Sequence, residues 1–236
     1  MGQKLANQLP STPKCFTDFL SKCKSPDSSS FFQSITPAEI RLEILSIPNN
    51  KSHGLYSCST RVLKCASNVI SSVLAEIFNS SISLGTYPAK LKMSKIIPIF
   101  KADDETEPNN YRPISLLSNF NRIYEESICK RMKVFINEED ILYPSQCGFR
   151  EDHSTQHAII DIVNTIQSNM DKRLYSCGVF IDLKKAFDTV DHAILLEKLN
   201  HYAFRGIINK WFSSYLQNRT QSTQVGPNRP PELPVC

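Results

Sequence analysis

The chain has 236 residues, 41% of them hydrophobic, and a net charge of +4 with histidine neutral. That is enough apolar material for a core in one large domain or two small ones, and the mild basicity allows a nucleic-acid partner without demanding one. Eight cysteines with no CxxC pair and no Cys/His cluster at zinc-finger spacing favour free thiols over a disulfide framework or a metal centre. No run approaches the roughly 20 apolar residues of a membrane helix, and no apolar stretch follows Lys4 as in a secretory signal. An intracellular protein of cytoplasm and nucleus, neither secreted nor membrane-bound, is expected.

Residues 1–33 are rich in Ser, Pro and Lys with isolated aromatics at Phe16, Phe19, Phe31 and Phe32, and read as a linker that docks a few side chains. Thr36, Pro37 and Glu39 then supply a cap, a proline in the first turn and the acid of a capping box. They predict a helix to about Ser46 with Ile40, Ile44 and Leu45 inward, stopped at Pro48. Residues 62–84 are apolar at helical spacing (Val69, Val73, Leu74, Ile77, Phe78), which predicts one core helix ended by Gly85. Residues 34–90 together read as a helical N-terminal extension.

At Ile96–Phe100 the period changes to that of a strand, with Pro98 marking an edge strand or a strand end. The acidic stretch 102–110 reads as a mobile turn, and residues 110–117 as the returning strand of a hairpin. Ser118 is placed to cap a helix over about 119–137, with Phe120, Ile123, Tyr124, Ile128 and Met132 on one face and Lys130, Arg131 and Lys133 on another. That basic face is either a wet surface or a track for a phosphate backbone. Residues 141–150 read as an irregular loop in which Gly148 permits close backbone approach. His153 and His157 lie four apart, but no carboxylate follows in the manner of a zinc-binding helix, and Ser154 reads as the start of a helix that yields at Asp171.

The stretch Tyr175–Asp191, YSCGVFIDLKKAFDTVD, is the one around which the rest is organised. Val179, Phe180 and Ile181 beside Gly178 predict a short strand that presents Asp182 at its end, followed by a helical turn over 184–187. Asp182 either caps that turn or carries chemistry. Beyond it, Asp191 is positioned to cap a helix, a second helix carries Trp211, residues 220–225 are strand-like, and a turn follows at 226–231.

The pattern Phe180, Asp182, Ala186, Phe187, Asp188 resembles the first catalytic motif of reverse transcriptases. Further stretches, SKIIPIFK (94–101), NYRPISLLS (110–118), ILYPSQCGFR (141–150) and HST (153–155), are similar in order and spacing to reverse transcriptases of jockey-like, non-LTR (LINE-type) retrotransposons. The resemblance implies an α+β, helix-rich, right-hand polymerase fold, with fingers and an incomplete palm over residues 91–236. It implies RNA-directed DNA synthesis, with RNA template, DNA primer and deoxynucleoside triphosphates as partners. It makes Asp182 the catalytic aspartate and a ligand of a two-ion Mg2+ site, for which oxygen donors are the expected ligands. Arg112 and Lys101 would hold the triphosphate of the incoming nucleotide, Phe187 would lie under its sugar, and Gln146, Gly148 and Arg150 would line the template path. On the residues alone, Arg112 could equally pair with Glu107, and Phe187 could be core. The stretch 51–58 resembles the family's Lys-x-x-Gly-x-Asp-x-Ile segment but carries Tyr56 where an Asp is usual, so Lys51 is assigned no role.

The sequence contains neither a Tyr/Phe-x-Asp-Asp turn nor the Pro-Gln-Gly segment of the family. The chain is therefore expected to be a C-terminally truncated fragment that is inactive alone. The alternatives are a noncatalytic nucleic-acid-binding remnant using Arg112, Arg150 and the Lys130–Lys133 face, or a degenerate fragment without a stable fold.

Overall fold

A computed structural model of the chain describes residues 16–20, 23, 25–50, 54, 58–183, 186–223 and 233–234. The helices are α1 (Phe16–Leu20), α2 (Pro37–Ser46), α3 (Thr60–Cys65), α4 (Ser67–Leu84), α5 (Asn119–Glu138), α6 (Thr155–Asp171), α7 (His192–His201) and α8 (Gly206–Leu216). The strands are β1 (Met93–Phe100), β2 (Tyr111–Leu116), β3 (Thr220–Thr223) and β4 (Leu233–Pro234), in the sheet order β2-β1-β3-β4. The architecture is thus mixed, several helices with one small sheet. Two compact units are present, one built on residues 136–190 and one on residues 10–135 with 191–236.

Local chemistry sets the larger unit's elements. The N–H of Glu39 bonds the Thr36 hydroxyl at 3.2 Å while the Glu39 carboxylate accepts from the Thr36 N–H at 2.7 Å, which closes the expected capping box. Ile40 and Ile44 of α2 are buried, but Leu45 is exposed, because it lies a quarter turn beyond that stripe. The single helix expected over 62–84 is two, separated at Ala66, and α4 ends at Gly85 in the left-handed conformation (φ 62°). Leu74 and Phe78 of α4 are core, whereas Val69, Val73 and Ile77 are exposed. With apolar residues all round α4, periodicity could not single out its inner face.

The core is an aromatic knot between α4, α5 and α8. Tyr124 stacks on Phe78 at 4.1 Å between centroids, and Trp211 meets Tyr124 edge-on at 5.6 Å. The indole N–H of Trp211 donates to the Tyr124 hydroxyl at 3.0 Å and to Ser81 Oγ at 3.1 Å. The Tyr124 oxygen also lies 2.8 Å from Ser81 Oγ and 3.1 Å from the Phe78 carbonyl. Every polar atom carried in with these rings therefore has a partner. Phe32, from the segment expected to be a linker, is buried against Phe204 and Phe212, while Phe31 is exposed.

The expected hairpin is present. β1 and β2 pair antiparallel, with Pro98 opposite Pro113 and Ile99 opposite Arg112. The Lys101 N–H donates to the Asn110 carbonyl at 2.9 Å, so bonded pairs fall at odd residues of β1 and the two prolines meet where the ladder needs no N–H. On its other side β1 pairs parallel with β3 only over Met93–Ile96, which leaves Pro98 beyond that ladder. The turn read as mobile is instead hydrogen-bonded. Asp104 accepts from the Thr106 N–H at 2.9 Å, its carbonyl accepts from Asn110 Nδ2 at 2.9 Å, and the Tyr111 hydroxyl donates to the Glu105 carbonyl at 2.9 Å.

In the smaller unit α6 begins at Ser154, as expected, and His157 contributes to its start by accepting the Ser154 N–H at 3.1 Å. No α6 residue is buried. The strand expected to present Asp182 is not formed: residues 174–183 carry no regular secondary structure, and Val179, Phe180 and Ile181 are exposed. Strand-forming residues need a neighbouring chain to bond, and among the described residues none lies beside this segment. Part of the helical turn expected over 184–187 lies outside the described residues, as do Lys51, Tyr56 and the turn at 226–231.

Candidate functional site

Asp182 sits in the irregular segment of the smaller unit, exposed, with no ion pair or hydrogen bond among the described residues. Its carboxylate is therefore uncommitted among the described residues, where it caps no turn. Ala186–Thr189 form a turn closed by the Thr189 hydroxyl donating to the Ala186 carbonyl at 3.1 Å. Asp191 is spent as a helix cap, accepting from the N–H groups of Ala193 and Ile194 at 2.8 and 3.1 Å.

Phe187, the residue expected under a sugar, is not core but 79% exposed. Its ring meets that of Phe149 edge-on, 6.0 Å between centroids and 85° between planes. This contact brings the 141–150 loop and the aspartate-bearing segment together within one unit. It could not be foreseen from the sequence, since each phenylalanine taken alone reads as core or as loop.

The loop is held by its own bonds. Gln146 Nε2 donates to the Gly148 carbonyl at 3.1 Å, and Arg150 Nη1 reaches the Pro144 carbonyl at 3.5 Å. A Cβ built on Gly148 would meet no protein atom within 4 Å, so the space over it is open. Its neighbour Phe149 is the residue under conformational strain, at φ 60° and 90% exposed.

Lys101 and Arg112 lie in the larger unit, on the hairpin. Arg112 faces Ile99 across the ladder and Lys101 stands two residues on, so alternation puts both side chains on one face as diagonal neighbours, about 7–8 Å apart at Cα. Both are exposed, and neither forms an ion pair among the described residues; the pairing of Arg112 with Glu107 is not made. Two fixed cations on one face are suited to a polyanion.

The basic face of α5 is otherwise engaged. Lys130 pairs with Glu43. Arg131 pairs with Glu39 at 3.2 Å and donates to the Gln33 and Ser34 carbonyls at 2.6 and 3.0 Å, leaving its side chain 11% exposed. These two ion pairs fasten α2 to α5; the Arg131 side chain is covered in doing so, whereas that of Lys130 stays 58% exposed.

Oxygen donors suit Mg2+, and Asp182 is free to supply one. The donor type fits, but the set is incomplete: among the described residues no three His, Cys, Asp or Glu side chains are grouped to hold a metal ion. None of the described helices is long and apolar enough to cross a membrane.

A family model described as reverse transcriptase (RNA-dependent DNA polymerase) matches residues 99–230. The chain is 33% identical over 191 residues to the "Probable RNA-directed DNA polymerase from transposon BS" of Drosophila melanogaster, a match covering 79% of this chain and 21% of that protein. It is 30% identical over 192 residues to the "RNA-directed DNA polymerase from mobile element jockey" of the same organism, covering 81% and 21%. A third similarity, 30% over 164 residues, is to the "Probable RNA-directed DNA polymerase from transposon X-element" of that fly, covering 69% and 18%. The chain spans about a fifth of the length of these curated relatives.

Proposed function

Since the chain belongs to the reverse transcriptase (RNA-dependent DNA polymerase) family, beside the proteins of non-LTR retrotransposons, we propose that it forms the fingers and first part of the palm of a right-hand polymerase that copies RNA into DNA. In this reading residues 34–90 are a helical extension, and residues 91–236 carry the polymerase elements. Asp182 is one ligand of a two-ion magnesium site, with the carbonyls of Ile181 or Leu183 as further oxygen donors. Arg112 and Lys101 take the triphosphate of a deoxynucleotide. Phe187, held against Phe149, supplies the bulk that excludes a 2′-hydroxyl, and Gln146, Gly148 and Arg150 face the template.

The observation that carries this reading is the shared face of Lys101 and Arg112 on a hairpin whose residues match the family. A guanidinium that binds phosphate bidentately contributes about 1.5–3 kcal/mol, or roughly a 10- to 100-fold change in affinity. Titration of the chain with a fluorescent deoxynucleoside triphosphate and Mg2+ should therefore show binding that Arg112→Gln weakens at least tenfold. Equal affinity in that variant would remove the assignment.

With no metal-holding cluster among the described residues, the chain by itself is expected not to extend a primer on an RNA template. Extension that disappears in Asp182→Ala would overturn that expectation. In the alternative reading, a noncatalytic nucleic-acid-binding protein using Arg112, Arg150 and the Lys130–Lys133 face, a phosphate backbone would compete with Glu43 and Glu39 for Lys130 and Arg131.

A further inference from the structure

Lys92 and Arg219 stand side by side where the parallel pair β1–β3 begins. Met93 pairs with Thr220, so the residues preceding each are neighbours, and the Thr220 N–H donates to the Lys92 carbonyl at 3.3 Å. Lys92 is only 9% exposed. The half-buried Arg219 has its guanidinium 4.7 Å from the centre of the Tyr215 ring and donates from Nη1 to the Tyr215 carbonyl at 3.2 Å. Neither cation has a carboxylate partner among the described residues. Glu125, which reaches this corner through Tyr215, accepts from the Tyr215 hydroxyl at 2.8 Å and from Asn121 Nδ2 at 3.1 Å, and forms no ion pair with Lys92 or Arg219.

Burying one cation costs free energy unless it is paired, and setting a second beside it adds repulsion. Burial, and then the charge of Arg219, lower the pKa of the Lys92 ammonium from its ordinary value. Sequence gives no hint of this corner, because the two residues are far apart in the chain and meet only through the β1–β3 register.

We propose that Lys92 and Arg219 form a binding site for a phosphate group, whose charge and oxygens supply the counter-charge this corner lacks. Arg219 offers a planar fork that the Tyr215 ring holds in place, and Lys92 adds a compact second charge. The site lies at the opposite end of β1, about 23 Å from the level of Arg112 and about 30 Å from Lys101 at the rise of a strand, so it is separate from the proposed triphosphate contacts. It does not depend on the polymerase reading.

The test is the thermal unfolding of the whole chain in inorganic phosphate against chloride at matched ionic strength. Phosphate should raise Tm saturably, and the half-saturating concentration should rise at least tenfold in Lys92→Gln and in Arg219→Gln, but not in Lys64→Gln. In chloride, Lys92→Gln should melt above the wild type because it relieves a buried unpaired charge, an outcome a merely structural lysine would not give. No phosphate-specific shift in the wild type, or a shift that survives in Lys92→Gln, overturns the proposal. A second arm uses a twelve-nucleotide oligouridylate. Saturation at tenfold lower concentration than phosphate, lost in Lys92→Gln, assigns the group to a nucleic-acid strand; parity with phosphate assigns it to a free phosphate or mononucleotide.

Discussion

Whether the cations of α5 bind nucleic acid or hold the fold together is decided by removing their acidic partners. Glu39 has two duties: it closes the capping box on Thr36 and it pairs with Arg131. Loss of the cap costs about 1 kcal/mol. The ion pair, with Glu39 44% exposed, is worth about 0.5–1 kcal/mol after allowing for solvent screening. Glu39→Ala should therefore lose about 2 kcal/mol, which in a chain of this size is a fall in Tm of about 4–8 °C. Glu39→Gln keeps an acceptor for the Thr36 N–H and should lose about half as much.

The pH dependence has a definite sign. Burial pushes the Glu39 carboxyl up, but the Thr36 N–H and Arg131 more than offset it, and the net value is lowered. A lowered folded value contributes stability that is fully present above the unfolded value, about 4.3, and is lost as pH falls through the folded one. The gap in urea stability between wild type and Glu39→Gln should thus be constant near neutrality and close below about pH 4. If instead Glu39→Ala melts like the wild type, while binding oligouridylate with a salt dependence steeper by about 0.7 per freed contact, the cations are a nucleic-acid surface and the clamp is wrong.

Two further substitutions probe the larger unit. Tyr124→Phe removes the hydroxyl that accepts from Trp211 and lies against Ser81 and the Phe78 carbonyl, a group whose burial pushes its pKa up to about 12; the expected loss in a urea titration is about 1–3 kcal/mol, and a change under 0.5 kcal/mol would mean the knot is held by packing alone. Gly54→Ala places a Cβ 2.6 Å from the Leu117 carbonyl carbon and 2.7 Å from the Leu116 oxygen, both backbone atoms that cannot swing away. It should cost about 1–3 kcal/mol, whereas Gly148→Ala, with open space around it, should be neutral in the same assay.

What could be read from the sequence was what depends on near neighbours. Thr36, Pro37 and Glu39 specify the start of α2 within four residues, and Ser118, Ser154 and Asp191 likewise mark the starts of α5, α6 and α7. What could not be read depends on partners distant in the chain. α4 has apolar residues on every side, so the burial of Phe78 and the exposure of Ile77 follow from where α5 and α8 pack. The engagement of Arg131 by Glu39 is invisible in a helix that looks like any amphipathic helix with a basic face.

The same distinction explains why the segment that identifies the family is the least structured of the sites considered. Phe180, Asp182, Ala186, Phe187 and Asp188 are recognised by the order of residue types, which survives whatever surrounds them. Their geometry is a different matter. A strand requires a second backbone to accept and donate its bonds, and here Val179, Phe180 and Ile181 stand exposed with none among the described residues. Asp182 therefore has the chemistry of a metal ligand without the rigid placement that catalysis demands, since a constellation a single ångström too loose forfeits most of its rate. Lys101 and Arg112 are the converse. Neither identifies a family by itself, yet the β1–β2 register sets them on one face, so the hairpin is where the proposed contact to a nucleotide can be tested on this chain.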